Sequence, residues 1–154
     1  MSDMIEVQID SVRVHLMTPS RLVVLKQVNS ERYLPIWVGP YEAEAITVAL
    51  QEVEMIRPLT HDLLKNVFGA FNARITRIEI VKLENDIYYG TIVAEVDGRE
   101  IFVDSRSSDA IALSVRKTCR PCLGKQCAEP FCLSQIGPDA VYDAALRISL
   151  YANI

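Results

Sequence analysis

The chain has 154 residues, half of them hydrophobic, with 6 glycines, 7 prolines and a formal net charge of −4. That length suits one domain with a real core, and the composition excludes a disordered or low-complexity chain. The acidic balance excludes indiscriminate nucleic-acid binding through overall charge, so such contact would need a local basic patch or bridging metal ions. No apolar run approaches the roughly 18 residues needed to span a bilayer. The first four residues lead straight into an alternating pattern, so a soluble, cytoplasmic protein with no membrane partner is expected.

Ile5, Val7 and Ile9 alternate with polar residues, and Val12, Val14 and Leu16 continue in the opposite phase. One slip at Asp10-Ser11 predicts a long strand with a bulge. After a turn at Thr18-Pro19-Ser20, residues 21–28 and 33–38 read as a hairpin about Asn29-Ser30-Glu31. Gly39-Pro40 starts a helix with proline at its first position. Its predicted buried stripe is Ala43, Ile46, Leu50 and Val53, ending near Met55 before Pro58. Thr60 reads as the N-cap of a second helix with inner face Leu64, Val67, Phe68 and Phe71.

A period of two returns at Ile75, Ile78, Ile80 and Leu83, followed by a turn at Glu84-Asn85-Asp86 and a strand over 87–96. Asp97-Gly98 is a strong two-residue hairpin signal into 99–103. A third helix is predicted from about 109 to 118, then a cysteine segment and a short helix from about 139 to 146. No internal repeat or linker interrupts the chain. The order β-β-β-α-α-β-β-β-α-α predicts a single α+β domain over 4–150, with a mostly antiparallel or mixed sheet and three to four helices.

The densest functional-group chemistry lies in Val103-Asp104-Ser105-Arg106-Ser107-Ser108-Asp109-Ala110-Ile111-Ala112-Leu113. Carboxylates beside a helix N-terminus can hold Mg²⁺ or Mn²⁺ and, with an arginine, meet phosphate oxygens. Equally, Asp104 and Asp109 can be turn or cap residues, with Ser107 or Ser108 as the cap and Arg106 paired to one carboxylate. Spacing alone favours that second reading. In Arg57-Pro58-Leu59-Thr60-His61-Asp62, His61 sits at the edge of the apolar stripe and could face a cleft, while Asp62 can simply serve the helix dipole. Glu42 and Glu44 charge the first turn of the helix after Gly39-Pro40, where dipole compensation is the commoner role.

Three blocks carry a family resemblance: Leu34-Pro35-Ile36-Trp37-Val38-Gly39 with Glu42-Ala43-Glu44-Ala45-Ile46, then Arg57 to Leu64, then Val103 to Leu113. In this order and spacing they resemble the bifunctional nuclease domain family over residues 4–116. The resemblance implies a compact α+β domain, commonly a homo-oligomer, acting as a nuclease on both DNA and RNA. Mapped residue by residue, it singles out Glu42, Glu44, His61, Asp62, Asp104, Arg106, Ser108 and Asp109. Ser107 stands where the family often has proline. Residue types then suggest metal-assisted phosphodiester hydrolysis. Asp104 and Asp109, with Glu42, would hold Mg²⁺ or Mn²⁺; His61 would be general base and Arg106 would stabilise phosphate charge.

The four cysteines depart from the family pattern. Cys119, Cys122, Cys127 and Cys132 have the C-x2-C-x4-C-x4-C spacing of zinc knuckles, with Cys127 in place of their histidine. Four thiolates suit a structural tetrahedral Zn²⁺; free thiols, disulfides and an Fe–S cluster are the competing readings, which the zinc content of the purified chain would decide. Arg116, Lys117, Arg120 and Lys125 lie on or beside this segment, and no acidic residue falls between Asp109 and Glu129. Here is the local basic patch that could contact phosphate. The alternative function is a non-catalytic nucleic-acid- or protein-binding regulatory module. An enzyme should gather its Asp and His residues in one open cleft, whereas a binding module should commit them to caps and ion pairs.

Overall fold

Two antiparallel meanders, one from each half of the chain, are joined edge to edge by a strand that forms late in the sequence. A computed structural model describes residues 4–14, 17–118, 120–124 and 133–134. The first meander is β1 (Met4–Val14), β2 (Arg21–Gln27) and β3 (Arg32–Val38); the second is β4 (Arg74–Glu84), β5 (Ile87–Val96) and β6 (Arg99–Arg106). Strand β7 (Arg120–Gly124) lies between them, antiparallel to β1 and parallel to β4. Strand β8 (Leu133–Ser134) pairs with the start of β3, giving the order β6-β5-β4-β7-β1-β2-β3-β8. The fold is therefore α+β with a mixed sheet, as the element order implies.

Local sequence accounts for the turns. Asn85 and Asp86 have φ of 50° and 61°, and Asp97 and Gly98 of 49° and 75°, so both two-residue hairpins use left-handed pairs whose twist suits the strands they join. The register of β1 against β2 shifts between Ile9 and Ser11. That bulge lets Val7 and Val12 both pack towards the core despite their opposite phases.

Helices α1 (Pro40–Leu50), α2 (Thr60–Ala70) and α3 (Ser107–Leu113) gather against the sheet, and α3 continues into a π-helical turn, Ser114–Thr118. Ala110, Ile111, Ala112 and Leu113 are completely buried among Ile78, Ile80, Ile92, Leu34, Ile36, Ala43 and Ile46. The run Ala110–Leu113, with no polar face, suits the enclosed end of α3. The small side chains of Ala110 and Ala112 let its neighbours approach closely.

Several expectations change. The stripe on α1 stops at Ile46: the helix ends at Leu50, which is exposed, as is Val53 beyond it. On α2, Leu64 and Phe68 pack on the core but Val67 and Phe71 are exposed. The cysteine segment is not a self-contained loop, because residues 120–124 form β7 inside the sheet. The short helix expected over 139–146 lies outside the described residues. Among the described residues, no helix is long and apolar enough to cross a membrane.

Candidate active site

The first turns of α1, α2 and α3 converge on one cleft of about 380 Å³, lined in part by Glu42, Glu44, His61, Arg106 and Asp109. Each helix starts from an extended residue, Gly39, Leu59 and Arg106 respectively, and each carries an acid in its first turn. Acidic residues there complement the exposed amides and the helix dipole. The serine and threonine caps expected from sequence do not form. Thr60 and Ser107 are the first helical residues, and the N-cap residue's own side chain makes no cap bond at any of the three starts. Ser107 and Ser108 are instead buried under the corner between β6 and α3.

Four of the candidate residues form one chain of contacts. His61 Nε2 lies 2.9 Å from Asp109 Oδ1. Arg106 donates through Nε to Asp109 Oδ2 at 2.7 Å and through its second amino group to Oδ1 at 3.0 Å. Its other amino group meets Glu42 Oε1 at 3.0 Å. Asp109 is thus the bridge between the imidazole and the guanidinium. Burial pushes its carboxyl up, but the hydrogen bonds from Arg106 and His61 outweigh that and hold it below its ordinary 3.8. The same contacts, Asp109 first and Glu42 after it, raise Arg106 further above its already high value despite partial burial.

Glu42 can reach Arg106 because Gly39 leaves room. A Cβ at position 39 would collide with the Glu42 carboxylate and push it aside, so glycine lets Glu42 keep this position rather than serving an unusual φ. His61 is held almost buried on α2, which fixes its ring. With Nε2–H donated to Asp109, Nδ1 keeps its lone pair, and no hydrogen-bond partner for it occurs among the described residues. The guanidinium has five N–H groups, of which the three contacts to carboxylates use three. Two remain for an anion.

Other candidates are placed elsewhere. Asp62 does not enter this chain of contacts: its Oδ2 accepts the Leu59 backbone N–H at 2.8 Å, and its Oδ1 accepts Arg116 Nε at 2.7 Å. Burial raises its carboxyl, yet the Leu59 amide and Arg116 bring it below its ordinary 3.8. Arg116 also donates to the carbonyls of Ala112 and Ala45, and its side chain is only 5% exposed. The expectation that Arg116 touches nucleic acid is therefore corrected: burial commits it to tying α1, α2 and α3 together. The side chains of Lys117 and Arg120, and all of Lys125, lie outside the described residues.

Asp104 is exposed on β6 and lines a neighbouring cleft, apart from Asp109. The expected Mg²⁺ or Mn²⁺ site does not fit this arrangement. Both oxygens of Asp109 and one of Glu42 are already held by His61 and Arg106, and no group of three His, Cys, Asp or Glu side chains is placed to share a cation among the described residues. Of the cysteines, Cys122 is in β7 opposite Glu6 and Glu79, while Cys119, Cys127 and Cys132 lie outside the described residues. A larger cleft, about 580 Å³, is lined in part by Arg57, Asp62, Lys65 and Arg116. Asp62 and Arg116 there are paired with each other and no histidine lines it, so the smaller His61 cleft is the better chemical site.

Residues 23–126 match the bifunctional nuclease domain. The chain belongs to that family. Two uncharacterized proteins, from two strains of Mycobacterium tuberculosis, are each 36% identical to it over 111 residues, covering 72% of this chain and 66% of each relative. In this bifunctional nuclease domain, sequence missed the aromatic cleft beside Asp104, lined by Trp37, Tyr88 and Tyr89. A signal existed: Leu34, Ile36 and Val38 face the core, so the alternation of β3 sends Trp37 to the other face.

Proposed function

We propose that this domain hydrolyses phosphodiester bonds of DNA and RNA in the His61 cleft. The observation that carries the reading is Asp109, whose two oxygens hold His61 on one side and Arg106 on the other. A phosphodiester oxygen would bind the two remaining N–H groups of Arg106, and a water beside His61 would give its proton to Nδ1 as its oxygen attacks phosphorus. The ester oxygen leaves as the phosphorus–oxygen bond breaks, and takes a proton from the imidazolium or from solvent. Asp109 stabilises the imidazolium that forms in between. Glu42 limits the swing of Arg106. No step is routed through a cation, because the donor set is already committed to His61 and Arg106.

The second reading, a nucleic-acid-binding regulatory module, is favoured by the same ion pairs. Glu42, Asp109 and Arg106 neutralise each other, much as a structural network would. Cleavage of a single-stranded oligonucleotide by purified wild type, His61→Ala and Asp109→Asn separates the two, with and without EDTA. Loss of a positioned general base should lower kcat by about 100- to 10,000-fold in His61→Ala. Undiminished cleavage by that variant overturns the catalytic assignment, and tight binding by a wild type that never cleaves supports the module instead.

We also propose that the domain works as a homo-oligomer paired through β6. This strand ends the sheet, and Ile101, Phe102 and Val103 are all exposed on it, 44%, 59% and 38% respectively. An open, apolar strand edge is a template for another strand.

A further inference from the structure

We infer that the aromatic cleft next to the His61 site is a nucleobase subsite, which makes single-stranded nucleic acid the preferred substrate. The inference rests on the phosphodiester reading above. The cleft is about 440 Å³, large enough for a base and its sugar, and lies between the end of β3 and the β5–β6 hairpin. Trp37, Tyr88 and Tyr89 line it, and part-buried aromatic rings are the surfaces on which unpaired bases stack.

Three observations point to a polar, planar ligand rather than to another apolar chain. Ser105 lines the cleft, and its Oγ, shielded from solvent beside Gly90, has no hydrogen-bond partner among the described residues. A hydroxyl left in that state is costly, and a base edge with donors and acceptors would satisfy it. Arg106 lines both clefts, so a phosphate on its guanidinium would hold the adjoining nucleoside at the entrance to the aromatic one. Asp104 stands at the same rim, where it can accept from an exocyclic amine or a sugar hydroxyl. A base in a duplex is stacked and paired and cannot enter a cleft of this kind without being flipped out.

Trp37 is the sole tryptophan of the chain, so its emission reports this cleft directly. Titration of the full chain with a short oligothymidylate should quench that emission to saturation. An abasic deoxyribose-phosphate oligomer of equal length should bind about tenfold more weakly, without quenching, for want of a stacked base. A blunt duplex should behave like the abasic oligomer. Ser105→Ala, which leaves Arg106 and His61 in place, should weaken oligothymidylate by roughly three- to tenfold and leave the abasic oligomer unaffected. Equal affinities for the two oligomers and unchanged emission would overturn the base subsite while leaving the phosphate site standing. If neither oligomer binds, the phosphodiester reading falls with it.

Discussion

Asp62 and Asp109 occupy the same position in their helices, three residues past the extended residue, yet only one of them reaches the cleft. The difference is the cation each meets. Asp109 meets Arg106 at the surface and His61 across α2, whereas Asp62 meets Arg116 in the interior. Removing Asp62 would strand a guanidinium that is 5% exposed with only two carbonyls for company. Removing Arg116 would leave a carboxylate that still accepts the Leu59 amide and is 35% exposed. Asp62→Ala should therefore cost more stability than Arg116→Met, about 3–5 kcal/mol against roughly half that, in urea unfolding. Equal costs would show that the pair is not buried in solution. Acid should act the same way. Both carboxyls lie below their ordinary 3.8 in the folded chain, so their stabilisation is complete above that value and is lost as pH falls through the lower folded value. The Tm of Asp62→Asn should accordingly fall less steeply with acidification than that of the wild type.

At the scale of elements, what was legible in sequence is what neighbours in the chain decide. The Asp10-Ser11 bulge, the Asp97-Gly98 turn and the proline start of α1 are local, and all three are found. Strand β7 was not legible, because its parallel partner β4 is some 40 residues away and cysteine, proline and glycine give it a weak strand signal. Nor could periodicity show that Leu50 and Val53 have nothing over them among the described residues. The residue types of the candidate site were legible, but its membership was not: His61 and Asp109 are 48 positions apart, and the end of β6 turns Asp104 away while the first turn of α3 turns Asp109 in. Two glycines test how that corner is held. A Cβ on Gly90 in β5 would lie 2.9 Å from the Arg106 carbonyl oxygen and 3.1 Å from Ala110 Cβ. Backbone cannot yield as a side-chain tip can, so Gly90→Ala should destabilise the fold by about 1–3 kcal/mol and displace Arg106, lowering activity too. Gly98→Ala meets no atom within 4 Å but must hold φ at +75°, so it should cost about 1 kcal/mol and spare activity. A Gly90→Ala protein with wild-type unfolding and cleavage would remove the argument that β5 sets the site's corner.

The whole molecule has a sheet that brings its two ends near each other, since residues of β3 and of β5 and β6 line one cleft although they are far apart in the strand order. Ile101, Phe102 and Val103 are nonetheless exposed along β6. Charged or very short edge strands discourage pairing, and β6 is neither short nor charged at its centre. Its sequence also suits a two-fold partner. Antiparallel pairing centred on Phe102 sets Phe102 across from its counterpart in a second copy and Ile101 across from Val103, which puts an apolar centre on the two-fold axis. Such pairing would place two His61 clefts in one particle, each beside the shared strand. Phe102→Lys puts a charge at the centre of that contact without touching the residues of either cleft. Sedimentation equilibrium of the wild type should give at least twice the chain mass, and the variant should shift towards the single chain with unchanged urea unfolding at low concentration. A wild type that sediments as one chain, or a variant as heavy as the wild type, would remove β6 as the contact and leave its exposed apolar row to be covered by something else.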